Sequence, residues 1–154
     1  VRFAAAIASL AGIGHLRPGP GTWGSLAALA PGAGLLALAG PWAVLAAALA
    51  LWALGWVAIR ALPEETQRSD AGWVVIDEAA GQMLALAGLA AVSLAGLIAA
   101  FLLFRLFDIA KPWPVSWADR RNDAAGIMLD DIIAGALAAL ILLMLRLSLP
   151  EVFA

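Results

Sequence analysis

Sixteen of the twenty formally charged residues lie in two windows, Arg60–Glu78 and Arg105–Asp131. Between them Ala79–Phe104 carries no charge at all, and Trp42–Leu62 carries only Arg60. That confinement limits the possible folds more than any single motif. Hydrophobic residues make up 64% of the 154, against about 45–50% in soluble domains. A soluble domain of this size buries only about two-thirds of the surface its unfolded chain exposes. Most of this chain must therefore take lipid as its solvent.

The length fits one domain over residues 1–154. With no cysteine, disulfides, thiolate metal sites and a cysteine nucleophile are excluded. The net charge of −2 gives no reason to expect a nucleic-acid partner. The apolar residues 3–11 are too short, and too poorly set off by small residues, to read as a signal peptide.

Phe3–Leu10 suits a short helix at the membrane interface. The glycines and prolines from Gly12 to Gly21 forbid regular structure and predict a stiff loop. Thr22 is a plausible N-cap for an apolar run from Trp23 to Leu38, which Pro31 should kink or break. Ala39-Gly40-Pro41 reads as a tight turn. Trp42–Leu62 then has about the 20 residues that a bilayer crossing needs, and Pro63 ends it. Glu64–Gly72 is a polar connector.

A single helix from Asp77 to Asp108 would be about 48 Å long at 1.5 Å per residue, against a hydrocarbon core of about 30 Å. Gly88, Ser93 and Gly96 offer a place to turn. A hairpin is expected instead, descending from Asp77 to about Leu89 and returning from about Leu94 to Phe107. With a last helix over Asp131–Leu149, the expectation is an all-α, polytopic membrane bundle whose charged motif loops share one face. The arginines and lysine gathered there make that face cytoplasmic by the positive-inside tendency. Trp23, Trp42, Trp73, Trp113 and Trp117 fall at segment ends, where an aromatic belt belongs.

Asp77-Glu78 and Asp130-Asp131 each precede an apolar stretch. A helix N-terminus favours one acid by about 0.3–1 kcal/mol, yet doubled acids beside lipid-facing sequence repel each other. Ionisable groups at membrane depth raise a functional hypothesis. Asp108, near a helix C-terminus, is disfavoured by the dipole, so capping explains it less well still. Hard oxygen donors without histidine or cysteine suit Mg²⁺. Lys111, Arg120 and Arg121 lie between the acids and suit phosphate oxygens, Arg by bidentate contact. The loop ending Gly19-Pro20-Gly21-Thr22 can present N–H groups to an anion at a helix start, which adds Thr22 to the phosphate-binding candidates. His15, the single histidine, reads as an interfacial loop residue.

Three blocks carry a resemblance: PGPGTWGSLAAL (Pro18–Leu29), VVIDEAAGQ (Val74–Gln82) and FRLFDIAKPWPVSWADRR…GIMLDDIIAG (Phe104–Gly135). In order and spacing they resemble the phosphatidylglycerophosphatase A family of bacterial membrane enzymes. The resemblance implies a Mg²⁺-dependent phosphomonoesterase in the inner membrane, acting on phosphatidylglycerophosphate to release phosphatidylglycerol and phosphate. It places the metal-binding and catalytic acids on Asp77, Glu78, Asp108, Asp130 and Asp131, and the basic positions on Lys111, Arg120 and Arg121. Asn122-Asp123-Ala124-Ala125 departs from a stretch that is often glycine-rich in such relatives, adding an acid. Attack by water and an aspartyl-phosphate route both fit these residues. A cation or proton transporter using the same acids is the rival from another class, and a non-catalytic lipid-binding subunit is a third.

Overall fold

The computed structural model describes residues 1–69 and 71–153. It is all-helical, with no strand among the described residues. The helices are α1 (Arg2–Ala8), α2 (Pro20–Arg60), α3 (Glu64–Arg68), α4 (Ile76–Leu86), α5 (Leu94–Ala110), α6 (Val115–Asp119), α7 (Ala124–Ser148) and α8 (Pro150–Phe153). α2 and α7 are long and apolar enough to cross a membrane, with mean hydropathies of 2.1 and 2.3. Leu38, Trp42, Leu94, Ile109 and Leu147 are all more than two-thirds exposed, an apolar exterior that marks a membrane-associated protein.

α2 begins three residues before Trp23. Gly19, in the left-handed region at φ 67°, is its N-cap, and Pro20 takes the first helical position. Proline suits that place because its fixed φ is helical and its missing N–H has no partner to lose. Thr22 therefore sits inside the first turn and is not the cap. Pro31 does not break the helix. The one non-helical backbone within α2 is Gly40, at φ 78° and ψ 179°, where the expected turn lies. The chain doubles back there: Leu35 and Ala47 line one cavity, and Leu36 packs with Val44 and Ala48.

α4 is the buried centre. Every residue of it is buried except Glu78, which is half-buried. At 11 residues it is about 16 Å long, too short to cross a bilayer alone, and α2, α5 and α7 shield it. The chain reverses after α4: Leu89 meets the turn at Gly96, while Glu78 and Arg105 meet beside Gly21 at the opposite end. Against α7 the approach is backbone to backbone. A Cβ on Gly81 would stand 2.5 Å from the Asp131 carbonyl oxygen, and one on Gly135 would collide with the Gly81 carbonyl.

Three segments differ from the sequence reading. The polar connector contains α3, and α5 runs on to Ala110, so Asp108 lies in its last turn. α7 starts at Ala124, not Asp131. Asp123 is its N-cap, extended at φ −146°, and accepts a 2.7 Å hydrogen bond from the Gly126 N–H. Asp130 and Asp131 thus lie two turns inside α7 and not at its mouth, which removes capping as their purpose.

Candidate active site

The backbone contact between α4 and α7 brings acids from two helices together. One carboxylate oxygen from each of Asp77, Glu78 and Asp131 lies within 4.8 Å of the others. Asp77 is 7% exposed and Asp131 3%. Asp77 and Glu78 reach the cluster from the first turn of α4, where acids favour the helix dipole. Asp131 has no such support. Asp108, from the last turn of α5, lies close enough to Asp131 and Glu78 for its charge to repel theirs. Four of the five expected acids thus meet in one place.

Asp130 faces elsewhere, because successive residues on a helix point about 100° apart. The Lys111 ammonium donates to Asp130 Oδ2 at 2.8 Å and also to Asp119 Oδ1. Lys111 ends α5 in the left-handed conformation, at φ 46°, which is uncommon for a residue with a side chain. Partial burial alone would lower its pKa. Its hydrogen bonds and attraction to Asp119 and Asp130 outweigh that and raise it.

The remaining basic candidates separate as well. Arg121 is engaged by Asp123, at 3.2 Å from its Nη2. Arg120 is exposed and makes no ion pair among the described residues. Thr22 is half-buried in the first turn of α2. The cation beside the carboxylates is Arg105, which from the sequence alone counts only among the positive-inside residues. Its Nη1 donates to Asp108 Oδ2. A Cβ on Gly21 would collide with Glu78 Oε1 and stand 3.2 Å from Arg105 Nη1, so the guanidinium and the carboxylate both crowd over that glycine. The signal available was the spacing Arg105-x-x-Asp108, which puts both residues on one helix face.

Among the described residues, Trp52 Nε1 and two polar groups of α4 are buried without a hydrogen-bond partner, and the two on α4 bear on the site. One is Glu78 Oε2, in the carboxylate cluster. The other is the Gln82 amide, one turn further along α4, 0% exposed and unsatisfied at both its oxygen and its nitrogen. An unmade hydrogen bond of this kind costs about 1–3 kcal/mol. Mutually repelling carboxylates, an orphaned buried oxygen and an all-oxygen donor set together fit a small hard divalent cation such as Mg²⁺.

Comparison with known proteins agrees with the three sequence blocks. The family model described as phosphatidylglycerophosphatase A matches residues 6–146. A Haemophilus influenzae protein named phosphatidylglycerophosphatase A is 37% identical over 131 residues, which cover 84% of this chain and 80% of that protein. An Escherichia coli K12 protein of the same name is 36% identical over 125 residues, covering 80% and 72%. No solved structure matches the chain.

Proposed function

As the chain belongs to the phosphatidylglycerophosphatase A family, and is thereby a phosphoric monoester hydrolase, we propose that it cleaves phosphatidylglycerophosphate to phosphatidylglycerol and phosphate. The single observation that carries the site assignment is the convergence of Asp77, Glu78 and Asp131 beside Arg105. Asp77, Glu78 and Asp131, with Asp108 in reach, would hold Mg²⁺. When bound, that ion supplies neutralising charge to the phosphate and a more acidic water.

The chain's own groups do the rest. Phosphoryl transfer asks a protein chiefly for positioning and charge stabilisation. Arg105, oriented by Asp108, offers its planar fork to two phosphate oxygens. The exposed Arg120 is a second cation for the incoming head group. Lys111 spends its charge on Asp119 and Asp130; its role is to hold α5, α6 and α7 together at the mouth of the site. Half-burial of Glu78 and burial of its neighbours limit water, which strengthens each contact to the phosphate.

The transporter alternative is not favoured. A conduction path asks for acids spaced through the membrane, whereas these gather at one end of α4 with an arginine among them. We place that end at the cytoplasmic leaflet of a multi-pass protein, because Arg60, Arg105, Lys111, Arg120 and Arg121 lie there.

The test is phosphate release from phosphatidylglycerophosphate by purified protein in detergent, with Mg²⁺ and with chelator. Release that depends on Mg²⁺ is expected, and release unaffected by chelator would end the metal assignment. Sealed inside-out membrane vesicles should hydrolyse added substrate without detergent, and right-side-out vesicles should not. The reverse result would invert the topology.

A further inference from the structure

Two cavities adjoin the site without belonging to it. The first, of about 270 Å³, is lined by Gly14, His15, Arg17, Pro20, Gly72 and Trp73. It lies at the loop level of the molecule, where the His15 ring stacks on Trp73 at a centroid distance of 5.9 Å. Arg17 is exposed and makes no ion pair among the described residues. The second, of about 530 Å³, is a groove between α2 and α4 with Leu10, Ile13, Ala27, Leu35, Leu51 and Met83 among its walls. Its walls are apolar throughout.

The two are neighbours: Ile13 lines the apolar groove, and the next residue, Gly14, lines the polar cavity. The polar cavity in turn abuts the active site: Pro20 lines it, while Gly21 lies against Glu78 and Arg105. Consecutive Cα atoms are about 3.8 Å apart, so the cavity and the carboxylate cluster border the same short stretch of chain. Acidic cluster, Arg17 cavity and apolar groove are thus linked through consecutive residues, Gly21 to Pro20 and Gly14 to Ile13.

We propose that the Arg17 cavity binds the internal phosphodiester of the lipid while the groove between α2 and α4 receives an acyl chain. The occupant is one phospholipid molecule, with its terminal phosphate at the carboxylates, its three-carbon bridge over Gly21 and its diester beside Arg17. Arg17 supplies the positive charge and the His15 ring a polar edge, matching a diester that keeps one negative charge. The apolar groove matches the hydrocarbon attached to it. This rests on the phosphatase reading of the neighbouring site and extends it, since it makes the loop residues 14–17 the lipid-recognising part. Discrimination between a lipid phosphomonoester and a soluble one would arise here and not at the carboxylates.

The experiment is isothermal titration with short-chain dihexanoyl phosphatidylglycerol, which has the diester and the chains but no terminal phosphate and so cannot turn over. Arg17→Gln, on an exposed loop where folding survives, should weaken binding about tenfold, the loss expected for one charge-assisted contact. Ala27→Phe fills the groove and should weaken the same ligand. It should leave glycerophosphoglycerol, the same head group without chains, bound as in the wild type. Wild-type affinity for dihexanoyl phosphatidylglycerol in Arg17→Gln overturns the inference. Failure of the phosphatase reading looks different: no phosphate release from phosphatidylglycerophosphate, with this titration intact.

Discussion

Asp130 and Asp131 are adjacent in sequence and belong to opposite electrostatic regimes. Asp131 turns toward Asp77, Glu78 and Asp108, a group whose nearest cation, Arg105, is paired to Asp108. Asp130 turns toward Lys111, which is shared with Asp119. Both carboxylates are more than nine-tenths buried. One half of the pair carries its counter-ion within the chain. The other leaves negative charge to be neutralised from outside. The first arrangement is structural and the second is the one proposed to bind a cation, and one step along a helix separates them.

The sharpest break of that comparison is Asp131→Asn. It should lower phosphate release about a thousandfold, toward the upper end of what loss of one electrostatic group costs. It should also relieve repulsion, so the variant should unfold at no lower temperature than the wild type in chelator. A hundredfold excess of Mg²⁺ over its Kd should stabilise the wild type by about 2.7 kcal/mol and leave the variant unmoved. Equal stabilisation of the two would remove Asp131 from the metal shell.

Lys111→Met acts on the other half. Removing one partner of a fully buried pair costs about 3–5 kcal/mol; Lys111 is 30% exposed, so about 2 kcal/mol is expected from denaturation. In a double-mutant cycle with Asp130→Asn the coupling should be about 1–2 kcal/mol, and with Asp131→Asn near zero. Comparable coupling to both would mean that Asp130 and Asp131 share one electrostatic environment.

The mildest test concerns Asp123, which caps α7 and so fixes where both aspartates fall. Asp123→Ala should cost about 1 kcal/mol at neutral pH. The Arg121 and Gly126 hydrogen bonds hold the Asp123 carboxyl below its usual pKa. Its contribution is therefore complete above the unfolded value of about 3.9 and lost as pH falls through the lower folded value. The stability gap between wild type and variant should shrink only below about pH 4. A gap that persists in stronger acid would mean that packing, and not the cap, sets it.

Much of this arrangement can be read before any coordinates. The turn at Gly40 and the acids opening α4 announce themselves as a glycine between apolar runs and as charge at the edge of one. The reversal between α4 and α5 follows from counting residues against bilayer thickness. The start of α7 does not, because DRRNDAAG looks like solvent-exposed loop while Asp123 and the alanines after it nucleate a helix. Pro31 misleads in the opposite sense: the surrounding apolar helix continues through it. Arg105 is hidden among residues with a plausible topological reason to be basic. Lys111 is visible as a cation, but only packing of α5, α6 and α7 shows that its charge is already committed.

The two glycines where α4 crosses α7 set the limits on how this protein can vary. Many of its large apolar side chains are exposed, where one apolar residue replaces another at little cost, and such positions can drift freely. At Gly81 and Gly135 a single added methyl acts as a wedge between the helices that carry Asp77, Glu78 and Asp131. The spacing of the clustered carboxylates is written in the two positions that have no side chain.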